Sequence, residues 1–152
     1  MQKRSIAAII LVAYSAIVIK ILVFKINMLK IGHLRFRFLP ETGEGNLLPF
    51  KSILSYLRDD PLSLIVILNI FGNIALFVPI GFLVPFVYLK MTWQKSLALA
   101  VAAGFAIEGM QVALRVGIFD IDDVILNAVG VMIGYWAFTA FVKSSGPRLK
   151  PS

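Results

Sequence analysis

The chain has 152 residues, 59% of them hydrophobic, and a mean hydropathy of +0.89, whereas a soluble domain runs nearer ~45–50% apolar. Its formal net charge is +7, and most of the basic residues flank apolar stretches, which selects anionic lipid headgroups over nucleic acid as partners. There is no cysteine and a single histidine, His33, so disulfides, thiolate chemistry and a multi-histidine metal centre within one chain are excluded.

The N-terminal MQKR followed by SIAAIILVAYSAIVI has the charged start and apolar stretch of a secretory signal. Lys20 and Lys25 stand where a small-residue cleavage site would close it, so the pattern predicts an uncleaved first span over residues 6–24. The only long connection, residues 25–60, follows. In HLRFRFL, Leu34, Phe36 and Phe38 alternate with Arg35 and Arg37, a period of two that fits a short strand or an extended interfacial segment. ETGEG reads as a turn, and NLLPFKSILSYLRDDP carries an apolar stretch suited to the membrane surface. The second span covers residues 62–89 and contains Pro79, Gly81 and Pro85, which predicts a kink. The third covers 96–115 and the fourth 124–142. Together they predict an all-α polytopic membrane protein, a four-transmembrane-helix bundle with a long interfacial loop after helix 1, in a single domain over 1–152.

Four spans put both termini on one side, and the two sides carry equal numbers of Lys and Arg. The basic flank of the first span and the acidic DIDD connection between spans three and four favour cytoplasmic termini in a multi-pass membrane protein.

Polar residues gather at one membrane face whichever way the chain is oriented. Glu108 lies in the apolar run LALAVAAGFAIEGMQVAL, where a charged group costs about 2.5–3.5 kcal/mol on insertion scales. At ~100° per residue, Gly104, Glu108, Gln111 and Arg115 fall within roughly 60° of one another. Ala98, Ala102, Ala106, Gly109 and Ala113 fall on the opposite face, which is expected to pack against other helices. Asn69, Gly72 and Asn73 share a face of the second span, and Asp123, Asn127, Gly130 and Gly134 share one of the fourth. The ligand-binding set expected from this convergence, with the loop residue added, is Asn46, Asn69, Asn73, Glu108, Gln111, Arg115, Asp120, Asp123 and Asn127. The simpler alternative is an interhelical network that only fixes packing. Asp120, Asp122 and Asp123 are oxygen ligands of the kind Mg²⁺ or Ca²⁺ takes, but an acidic turn capping the fourth helix is the plainer account, and no metal site is assigned. His33 with Arg35 and Arg37 suits a phosphate, or simply a lipid-facing basic loop.

NLLPF at 46–50, NIFGNIALFVPIGFLVP at 69–85 and EGMQVALRVGIFDIDDVILNAVGVMIGYW at 108–136 resemble the VanZ-like family of small bacterial membrane proteins. The matching positions include Asn46, Pro49, Asn69, Gly72, Asn73, Pro79, Gly81, Glu108, Gln111, Arg115, Asp120, Asp123, Asn127, Gly130 and Gly134. The resemblance implies an integral membrane protein, typically of Gram-positive bacteria, whose founding relative is associated with teicoplanin resistance; it supplies no established reaction.

The expected function is therefore non-enzymatic: an outward polar pocket that binds a lipid headgroup or a lipid-linked wall precursor, with membrane lipids as partners and no cofactor. The competing expectation is a membrane enzyme acting on a lipid-phosphate or lipid-linked sugar, with Glu108 or Asp123 as general base and Arg115 on the phosphate. No nucleophile elbow, P-loop or metalloprotease helix supports it. A transporter or channel is disfavoured, because the polar groups gather at one face instead of running through the spans.

Overall fold

The computed structural model describes residues 2–23, 30–31, 34–35, 45–59 and 64–144. Five helices account for most of them: α1 (Gln2–Val23), α2 (Lys51–Asp59), α3 (Leu64–Val87), α4 (Trp93–Ala113) and α5 (Ile121–Ser144). All but α2 are long and apolar enough to cross a membrane. Each lies within a few residues of the span expected from sequence. α1 is rich in β-branched Ile and Val, poor helix formers in water. In hydrocarbon every backbone N–H must be satisfied internally, and the helix is the segment's way to do so. α3 continues through Pro79 and Pro85 without interruption. Two minimal strands, β1 (Lys30–Ile31) and β2 (Leu34–Arg35), pair antiparallel with Lys30 opposite Arg35. His33 and the rest of the alternating stretch, Phe36 to Phe38, lie outside the described residues.

α3 and α5 form the frame, and they run parallel. Asn73 meets Asp123, Ile74 and Phe77 meet Gly130, Val78 and Gly81 meet Gly134 and Val131, and Phe86 meets Phe138. Their interface thus has three zones. The Asn73–Asp123 hydrogen bond holds the first. In the second, the absence of side chains lets backbones touch: a Cβ on Gly130 would collide with the Ile74 carbonyl, and one on Gly134 with the Val78 carbonyl. In the third, Phe82 and Phe86 meet Phe138 and Phe141 at ring-centroid distances of 4.8–6.4 Å. α4 packs antiparallel on α5, with Gly104 against Val124. α1 leans on α3, where the Tyr14 hydroxyl donates to the Leu76 carbonyl at 3.0 Å.

The packing face of α4 is the reverse of the one expected. Its buried residues are Ser96, Ala100, Gly104, Ile107, Glu108 and Gln111, whereas Ala98, Ala102, Ala106, Gly109 and Ala113 are exposed. Lipid tails solvate alanine as well as a neighbouring helix does, but they offer nothing to a carboxylate or an amide. The polar face is therefore the one that turns inward.

Before α2, Leu47, Leu48 and Phe50 are exposed, and Leu54 and Leu57 continue an outward apolar face along the helix. Such a face on a short helix suits the headgroup boundary of a bilayer.

Candidate functional site

The DIDD turn opens α5 and sends one carboxylate to each of three neighbours. Asp120 is the N-cap of α5: its Oδ1 accepts the Asp122 N–H at 2.9 Å. The same side chain holds the 45–50 segment. Asn46 Nδ2 donates to Asp120 Oδ1 at 3.0 Å, and Ser52 Oγ donates to Asp120 Oδ2 at 2.7 Å. Backbone bonds run alongside. The Asn46 N–H donates to the Phe119 carbonyl at 2.7 Å, and the Ile121 N–H to the Asn46 carbonyl at 3.0 Å, making a parallel bridge. Asn46 Oδ1 in turn accepts the Leu48 N–H at 3.2 Å.

Asp122, only 1% exposed, caps a helix to which it does not belong. Its carboxylate accepts the N–H groups of Phe50, Ser52 (2.8 Å) and Ile53 (3.1 Å), the first donors of α2. Phe50 occupies the cap position, where it has no side-chain acceptor, and its φ of 67° is unusual for a bulky residue. Asp122 supplies the missing acceptor while sitting in the first turn of α5, so it faces the positive ends of two helix dipoles.

Asp123 points to α3, where Asn73 Nδ2 donates to its Oδ1 at 2.7 Å. Glu108 reaches the turn from α4: its Oε2 accepts the Asp120 N–H at 2.9 Å, and its Oε1 accepts Gln111 Nε2 at 3.3 Å. Gln111 Nε2 also lies 3.4 Å from the Leu22 carbonyl of α1. Four helices and the 45–50 segment therefore converge on the start of α5.

Among the described residues, two acceptors in this region have no donor. Gln111 Oε1 and Asn127 Oδ1 are both buried and unbonded, on residues that are each 1% exposed. Such atoms are uncommon and call for a water, an ion or a ligand group. Gly117 closes over the first of them; a Cβ there would stand 2.7 Å from Gln111 Oε1.

Of the residues expected from sequence, Asn46, Asn73, Glu108, Gln111, Asp120 and Asp123 are joined by these bonds. Asn127 lies one turn beyond Asp123 on α5. Asn69 lies one turn before Asn73, is half-buried, and makes no side-chain bond among the described residues. Arg115 is not drawn in. It stands exposed past the end of α4 at φ 56°, in the left-handed position of a Schellman cap. There the Arg115 N–H donates to the Val112 carbonyl (3.0 Å) and the Val116 N–H to the Gln111 carbonyl (2.9 Å). Helical periodicity continued through Arg115 would keep it on the Glu108 face, but the cap ends the helix before it. Ser52 and Asp122 were absent from the expected set. Nothing local marks Ser52; Asp122 was visible within DIDD, but its partner is remote in sequence.

Chemically, the cluster is rich in acceptors. Asp120 and Asp122 are engaged by backbone and hydroxyl donors, which leaves the amides and the Asn73–Asp123 pair as the part suited to a ligand that donates. Among the described residues no group of three or more His, Cys, Asp or Glu is placed to hold a metal ion.

The architecture is that of a polytopic membrane protein: four membrane-length helices around an inlaid polar end. The sequence model of the VanZ/LLP1 family matches residues 10–142, and the chain belongs to that family. No curated protein and no solved structure gives a significant match.

Proposed function

We propose that this chain is a non-catalytic protein of the bacterial cytoplasmic membrane. Its termini face the cytoplasm, and the cluster at the start of α5 holds the polar part of a lipid headgroup or lipid-linked wall precursor at the outer face. Occupying that position alters the access of membrane-anchoring glycopeptides such as teicoplanin to their target. The observation that carries the reading is the pair of donor-less buried oxygens, Gln111 Oε1 and Asn127 Oδ1, beside the bonded carboxylates. Sugar hydroxyls and amide N–H groups are the donors such a site lacks.

The test compares teicoplanin susceptibility of a sensitive bacterium expressing the chain or its variants at equal membrane abundance. Glu108→Gln, Asp123→Asn and Asn127→Leu should each abolish any protection the unaltered chain confers. Asn127→Leu discriminates most sharply. A solely structural asparagine with an unpaired oxygen is replaced at little or no cost in stability, so unchanged protection by that variant would overturn the binding role.

A further inference from the structure

At the opposite end α1 begins, α3 finishes and α4 begins, and three cations stand together. Arg4 Nη2 donates to the carbonyl of Val87, the last residue of α3, at 2.9 Å. Lys95 Nζ donates to the Lys90 carbonyl at 3.4 Å. Backbone carbonyls thus fix two of the three. With Lys90 they rim an open groove of about 780 Å³ whose walls include Leu89 and Met91. Tyr88 and Leu99 line this groove and also an apolar slot of about 350 Å³, which continues into the bundle between α1, α3 and α4. Val18, Ile80, Val84 and Ile107 form its sides. On its α4 wall the small side chains of Ala100, Ala103 and Ala106 stand among Leu99, Ile107 and Met110 and leave room between them.

Among the described residues no acidic side chain lines either space. Every Asp and Glu of the chain falls within residues 41–60 or 108–123, in the connection that leads to the other end or at that end itself.

We propose that this groove and slot bind one anionic phospholipid, its phosphate among Arg4, Lys90 and Lys95 and one acyl chain along the slot between α1, α3 and α4. The occupant follows from continuity of the two spaces and from charge. A soluble anion makes no use of an apolar slot, and a zwitterionic lipid gains less from a rim of three cations. Basic pockets between helices are a recurrent way of holding such headgroups.

The full chain, purified in detergent, is titrated with dioleoylphosphatidylglycerol, dioleoylphosphatidylcholine or inorganic phosphate. Bound lipid is read by native mass spectrometry, and protection by the melting temperature. Phosphatidylglycerol should bind about tenfold more tightly than phosphatidylcholine, and phosphate alone should give no protection. The Lys90→Gln/Lys95→Gln variant should lose about fivefold in phosphatidylglycerol affinity per charge removed while keeping its lipid-free melting temperature. Ala103→Leu, which fills the slot and leaves the rim intact, should lower phosphatidylglycerol binding severalfold. Equal binding of the two lipids, protection by phosphate equal to that by phosphatidylglycerol, or unchanged affinity in the double-lysine variant would each overturn the proposal. The lysines are exposed, so that variant remains informative even where Ala103→Leu fails to fold.

Discussion

Where α1 begins and α3 finishes, Arg4, Lys90 and Lys95 all stand exposed, and the two that bond to protein do so through backbone carbonyls. Where α5 begins, Glu108, Gln111, Asp122 and Asn127 are each 1% exposed, and side chains of one element saturate the backbone of another. Ends of comparable polarity therefore differ in what the polarity does. Exposed cations interact with whatever surrounds the protein, and each can be lost at little cost to the fold. Buried carboxylates are held by the fold and hold it in turn, so removing one strands its donors.

That contrast can be broken or sharpened by substitution. The largest effect should come from Gly134→Leu, which strikes the α3–α5 frame shared by both ends. Its Cβ would meet the Val78 carbonyl, and no monodisperse protein should be recovered by size-exclusion chromatography. Next is Asp122→Ala, which deprives three backbone donors of α2 of their acceptor and should cost about 3 kcal/mol in detergent unfolding. Asp122→Asn keeps the shape but not the charge and should cost about half as much. Asn73→Leu removes one interhelical bond and should cost about 1 kcal/mol by the same measurement. Smallest is Lys90→Gln/Lys95→Gln, expected to stay within about 0.5 kcal/mol in the absence of added lipid. A double-lysine variant as unstable as Asp122→Ala would erase the distinction between the two ends.

Much of the architecture was legible in the sequence because hydropathy registers membrane length directly. The four spans, the exposed apolar face of α2 and the Gly130–Gly134 approach all rest on local pattern. The gathering of Asn73, Glu108, Asp120 and Asp123 at one end was legible too, since it depends only on position along each span. Which face of α4 packs was not. Small residues permit close approach without compelling it, and here Ala98, Ala102 and Gly109 face outward while Glu108 and Gln111 face in. Arg115 was misplaced because periodicity carries no signal for a left-handed residue that ends a helix without glycine. The cap that Asp122 provides spans about 70 positions of chain, as the separations from Ser52 and Phe50 record, and no window on a single sequence senses such a pairing.

The Asp122 cap also sets an order of assembly. α2 leaves the ribosome well before α5, yet the acceptor for its first N–H groups arrives only with the last span. Until then the segment has its contacts with α3 but lacks the carboxylate that accepts its first N–H groups. A chain ending at residue 116 should accordingly show the 45–59 region open to protease from the outset, whereas the full chain should protect it once synthesis is complete.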